Sequence, residues 1–103
     1  MYRDVTAMEI KYGHWNDAIE ISDEINRLRT ERGLRATRLL IGTFGSANRL
    51  TVEVEYDSLA QLEDEQRRFF SDPEIMKQVR RMAEVTVQGS VAEKLYQDAE
   101  HIA

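Results

Sequence analysis

The chain has 103 residues, 42% hydrophobic and 32% charged, with a net charge of −5 and no cysteine. That composition describes one globular domain rather than a disordered chain, and it excludes disulfides, thiolate catalysis and cysteine metal sites. The acidic balance repels phosphate backbones, so no nucleic-acid partner is expected.

The opening Met1-Tyr2-Arg3-Asp4 lacks the apolar core of a signal peptide, and no apolar run approaches the roughly 20 residues of a membrane span. A cytoplasmic protein without a membrane partner is expected. Residues 5–12 alternate: Thr6, Met8, Ile10 and Tyr12 share one face, and Val5, Ala7, Glu9 and Lys11 share the other. Side chains of a strand point alternately to its two faces, so this predicts a first strand, ended by Gly13. Residues 14–32 change to helical spacing through Ala18, Ile21, Ile25 and Leu28, with Trp15 and Ile19 widening the stripe. Acids come first on this helix and Arg27, Arg29 and Arg32 come last, in line with its dipole. Asp23 and Arg27 are spaced for an i,i+4 pair, and Gly33 supplies a left-handed cap.

Residues 34–44 contain Arg-Leu-Leu-Ile-Gly-Thr-Phe, a second strand with apolar residues on both faces, and 45–48 form a hairpin loop. Residues 49–56 alternate without a fault. Leu50, Val52, Val54 and Tyr56 want a core; Arg49, Thr51, Glu53 and Glu55 carry the polar face. Ser58-x-x-Gln61 is a capping box that opens a second helix through Leu62, Gln66, Phe69 and Phe70. Asp72-Pro73 interrupts it, and Ser71-x-x-Glu74 offers a second capping box for a helix carrying Ile75, Met76, Val79 and Met82. After Gly89, residues 90–96 alternate weakly as a fourth strand, with Ala92 and Tyr96 set against Val91, Glu93 and Leu95. Residues from about 97 to 103 form a tail.

The order β-α-β-β-α-β is a split βαβ, ferredoxin-like unit, one α+β domain over residues 1–103. It predicts a four-stranded antiparallel sheet with the helices on one face. The core would take Met8, Ile10, Leu50, Val52, Val54, the stripe of the first helix, Leu62, Phe69, Phe70, Val79 and Met82. The open face would show Val5, Ala7, Glu9, Lys11, Thr51, Glu53, Glu55 and Arg38, a mixture suited to the inside of a two-fold assembly.

Three stretches carry a resemblance: Glu9-Ile10-Lys11 with Gly13-His14-Trp15, Tyr56-Asp57-Ser58-Leu59, and Ser71-Asp72-Pro73-Glu74. In these the chain resembles NIPSNAP-like members of the dimeric α+β barrel superfamily, over nearly its whole length. The motifs are caps, a helix break and strand ends, signatures of fold more than of function. The resemblance implies a homodimer with two sheets packed face to face. Cofactor-free monooxygenases, haem-degrading enzymes and chlorite dismutases belong to the same superfamily. None of their catalytic sets matches this chain residue by residue, so none is transferred.

His14 and His101 are the only histidines, and they lack metal-ligand spacing, so no metal is expected. His14 is a candidate general base, against a plainer place at the start of the first helix. Glu53 and Glu55 project from one strand face with Glu9 on a neighbouring strand. Crowded carboxylates can carry a proton, and cross-strand ion pairs are the alternative. Arg38, facing inward, would hold an anion. Tyr12, Trp15, Tyr56, Phe69 and Phe70, with Met8, Met76 and Met82, either line a pocket between sheet and helices or fill the core. No phosphate-binding loop or nucleophile elbow occurs, and no cofactor is expected.

The expectation is an uncharacterised homodimer that binds a small apolar or anionic molecule on the open face. Tyr12, Trp15, Glu9, Arg38 and Glu55 are the ligand candidates; His14, Glu53 and Arg38 are the catalytic ones. The alternatives are a cofactor-independent monooxygenase or isomerase acting on an aromatic or polyketide-like substrate, and a structural or regulatory dimer. An enclosed cavity of roughly 300 Å³ or more with a few convergent polar groups favours a ligand or substrate, and a filled interface with every charge paired favours the structural dimer.

Overall fold

The computed structural model describes residues 1–42 and 47–99. The end of the predicted second strand at Phe44, part of the predicted hairpin loop, and residues 100–103 of the predicted tail, with His101, lie outside the described residues. In chain order the elements are β1 (Tyr2–Glu9), α1 (Trp15–Glu31), β2 (Arg38–Ile41), β3 (Arg49–Tyr56), α2 (Leu59–Phe70), α3 (Pro73–Val85) and β4 (Ala92–Gln97). The strands form one sheet in the order β2-β3-β1-β4, with antiparallel neighbours throughout. This is the ferredoxin-like α+β arrangement that the order of elements predicts.

Three elements depart from expectation, each for a local reason. β1 starts at Tyr2 and ends at Glu9. Beyond the Ile10–Thr86 bridge, the Lys11 N–H donates to the Val85 carbonyl at 2.8 Å and the His14 N–H to the Lys11 carbonyl at 3.0 Å. Gly13, at φ 84°, closes that turn, so Tyr12 stands fully in solvent instead of continuing the strand face. β2 is short because its approach is held by α1 and α2. The Arg35 N–H donates to Glu65 Oε1 at 2.7 Å and the Thr37 N–H to Asn26 Oδ1 at 2.8 Å, which removes both donors from a strand ladder. The cap of α3 is Asp72, one residue after the predicted Ser71. Asp72 Oδ1 accepts from the Glu74 and Ile75 N–H groups, with Pro73 at the first helical position.

The capping of α2 follows the sequence, with Ser58 Oγ accepting from the Gln61 N–H at 3.1 Å. On α1, Arg27 pairs with Glu24 and Glu31, not with Asp23. Arg32 ties the end of α1 to the start of α3 through Asp72, at 2.8 Å, and Glu74. The backbone donors, Ile75 first, and then Arg32 hold the Asp72 carboxyl below its usual range.

The core is divided. Met8, Ile10, Ala18, Ile21, Leu50 and Val85 form one buried group. Leu28, Leu34 and Ile75 form a second, and Val54, Tyr56 and Leu62 a third. Phe70, expected inside, is 63% exposed; its ring meets Phe69 edge-on at 5.1 Å, at the rim of the space between these groups.

Candidate functional site

That space is a cavity of about 690 Å³ between the sheet and the helices. Members of all three core groups, or residues packed against them, form its wall: Met8, Val52, Val54, Phe69, Val79 and Met82. The wall is mainly apolar, with polar groups at a few points. Asp4, Arg29, Tyr56, Gln66 and Glu93 gather at one end, and Ser22 and Thr37 stand further along.

The sheet register explains the gathering. Asp4 and Thr6 belong to the β1 face that turns Met8 and Ile10 toward the helices. Thr6 is opposite Glu93 on β4, and Tyr2 is opposite Tyr56 on β3. Asp4 therefore has Glu93 as its diagonal neighbour on one side and Tyr56 on the other. Burial, and then the adjoining Glu93 carboxylate, pushes the Asp4 carboxyl up to about 6, while Gln66 and Arg29 act in the opposite sense. Burial likewise raises the Tyr56 hydroxyl above its ordinary range, with Arg29 opposing.

Arg29 is buried and committed. Its Nε donates to the Arg35 carbonyl at 2.8 Å. Its Nη2 lies 3.4 Å from the Tyr56 hydroxyl and 3.6 Å from Glu65 Oε1. The guanidinium sits over the Phe69 ring, 5.3 Å from its centroid. Glu65 is buried as well, so the two form a compensated ion pair behind the cavity wall. Ser22 is buried at 5% exposure and its Oγ has no hydrogen-bond partner.

Of the aromatic and methionine side chains expected either to line a pocket or to fill the core, Met8, Tyr56, Phe69, Phe70 and Met82 line the cavity, while the catalytic and ligand candidates lie elsewhere. Glu53, Glu55 and Arg38 are together on the open face. Arg3 Nη1 lies 3.0 Å from Glu53 Oε1 and also pairs with Glu55, and Arg38 Nη2 reaches Glu53 Oε1 at 2.9 Å. Arg3 Nε pairs in addition with Asp98 at 3.0 Å. Glu9 shares that face at the other end of β1, opposite Arg49. His14 precedes α1, with Nδ1 3.0 Å from Asp17 Oδ2. Trp15 packs against the first core group. Among the described residues, no group of three or more His, Asp or Glu is placed to hold a metal ion. No helix among them is long and apolar enough to cross a membrane.

Asp4, Glu93 and Ser22 are the site residues that the sequence reading passed over, and each left a mark. Asp4 has the parity of Thr6, Met8 and Ile10, a carboxylate in a core frame. Glu93 has the parity of Val91 and Leu95. Ser22 falls within the apolar stripe of α1, beside Ala18, Ile21 and Ile25.

Family models give no match to the chain, and curated proteins give none either. Solved structures do. An uncharacterized NIPSNAP domain protein from Burkholderia xenovorans superposes with a TM-score of 0.80 at 15% identity, covering 98% of this chain and 97% of that one. A NIPSNAP family protein from Agrobacterium tumefaciens gives a TM-score of 0.77 at 12% identity, covering 97% and 94%. An antibiotic biosynthesis monooxygenase gives 0.74 at 12% identity, covering 96% and 99%. Identities this low speak for the fold and leave function to the site. The chain has the ferredoxin-like α+β fold of the NIPSNAP domain proteins and of antibiotic biosynthesis monooxygenase.

Proposed function

We propose that this protein binds a small, mainly apolar molecule in the cavity between sheet and helices, and that it does so as a cytoplasmic homodimer paired through the open faces of two sheets. The cavity carries the reading. At about 690 Å³, and open in part to solvent, it falls within the usual size range of a small-molecule site. An apolar wall with a few convergent polar groups is the usual form of a ligand site. This reading puts the ligand on the helix side of the sheet, where the sequence offered a pocket as one alternative, rather than on the open face.

The open face supports the pairing. Ala7 lies between Thr51 and Ala92, and Val5 between Glu53 and Lys94, with the Arg3 and Arg38 ion pairs beside them. A surface with small apolar residues at its centre and both charges around them can meet its own two-fold copy. Native mass spectrometry tests both parts. The expected species is a dimer carrying a small adduct that Val79→Trp, which puts an indole into the cavity, diminishes. A monomer at micromolar concentration would contradict the pairing.

Cofactor-independent monooxygenase or isomerase chemistry is a second reading, favoured by a carboxyl that exchanges its proton near neutrality at the cavity wall. Oxygen uptake with a naphthol as substrate, abolished by Asp4→Asn, would support it; no uptake would contradict the oxygenase form.

A further inference from the structure

Resting on the cavity reading above, we infer that the ligand is a protonated amine with an apolar body, its ammonium group held between Asp4 and Glu93. The charges around that end of the cavity are few. Facing Asp4 are Glu93 on β4, Tyr56 on β3, Arg29 on α1, and Gln66 and Glu65 on α2. Arg29 is the cation of the group, and it is spent on Glu65, the Arg35 carbonyl and the Tyr56 hydroxyl. Lys11 also lines the cavity, but seven residues along from Asp4, roughly 23 Å at strand spacing. Among the described residues, Asp4 and Glu93 are thus left as adjacent carboxyls without a positive partner of their own.

Two carboxyls side by side cannot both ionise cheaply. An ammonium between them supplies the missing charge and donates a hydrogen bond to each. An anion brought to the same place meets only repulsion. The aromatic surroundings fit a cation too. Phe69 and Phe70 lie one turn beyond Gln66 on α2, and both line the cavity; ring faces attract ammonium groups.

Ser22 gives the ligand a length. It precedes Arg29 by seven residues on α1, about 10 Å along the helix, and its buried hydroxyl has no partner. A ligand with its amine at Asp4 would place a hydrogen-bonding group near Ser22, with an apolar segment between the two.

Displacement of the neutral dye Nile red by n-octylamine, n-octanol and octanoate tests this, since the three share a body and differ in charge. Octylamine should displace the dye at concentrations about tenfold below octanol, with octanoate weakest. Its advantage should shrink on acidification from about pH 8 to about pH 5, as Asp4 takes up a proton. In Asp4→Asn and in Glu93→Gln the ratio of octylamine to octanol should fall to within about twofold. A wild-type ratio near one, or a preference for octanoate, overturns the amine assignment and leaves the cavity reading standing. Failure of Nile red itself to bind overturns the cavity reading.

Discussion

Asp4 and Glu93 stand diagonally across the β1–β4 pair on the face turned toward the helices, Asp4 opposite Leu95 and Glu93 opposite Thr6. Strand parity puts both carboxyls on that face, Asp4 half-buried and Glu93 exposed, and both stand at the cavity wall. The arrangement costs stability and gives the cavity its polar end.

That cost depends on pH in a definite direction. The Asp4 carboxyl is held at about 6 in the folded chain, against about 3.9 when unfolded. A folded value above the unfolded one means that the native state binds the extra proton between these limits. Stability from this group is therefore greatest below about pH 4 and is lost as pH rises to about 6. Asp4→Asn removes the dependence. At pH 8 the variant should be more stable by about 1 kcal/mol, a figure discounted for solvent screening of a half-buried group, and at pH 4 the gain should vanish. Urea unfolding at the two pH values checks this; an equal gain at both contradicts it.

Ser22→Ala should also stabilise. The hydroxyl is buried without a partner, so its removal relieves a desolvation penalty of about 1 kcal/mol. Thermal unfolding should show Tm rising by roughly 4–8 °C. A fall in Tm would mean that the hydroxyl makes a bond in solution.

Glu65→Ala should destabilise by about 3 kcal/mol, because it strands the buried Arg29 charge and leaves the Arg35 N–H without its acceptor. Replacing the pair together, Arg29→Met with Glu65→Leu, should recover the part of that loss due to the stranded charge, since an apolar pair of similar volume avoids the desolvation of both ions, while the Arg35 N–H and carbonyl stay without their partners. Denaturant midpoints of the single and double variants decide it.

Ala7→Arg places a long cation at the centre of the open face, between Thr51 and Ala92. Sedimentation should show a monomer with unchanged far-ultraviolet circular dichroism. A dimer that persists would place the pairing surface elsewhere.

Much of the fold was legible because its signals are local. The alternation from Arg49 to Tyr56 gave β3 to the residue, and Ser58 with Gln61 gave the start of α2. The misplaced boundaries came from long-range competition. Asn26 and Glu65 take the backbone donors ahead of β2 from another part of the chain, and the bridge to Thr86 ends β1. The site was harder to read. Alternation assigns Asp4 to the core face but does not say that β4 brings a second carboxyl beside it. The periodicity of α1 marks Ser22 as inward-facing but not as unpartnered. Glu53 and Glu55 stand out because they alternate on one strand, yet Arg3, from the far end of the chain, pairs with both.

The most direct measurement is a fluorescence titration of Nile red with wild-type protein and with Val79→Trp. Val79 lines the cavity and is only partly buried, so the larger ring enters the empty volume. Wild type should bind the dye saturably with a blue-shifted emission, and the variant should bind it more weakly while remaining folded, since the indole takes part of the room that a drug-sized body needs. Equal binding by the two proteins, or none by either, would contradict a ligand site between the sheet and the helices.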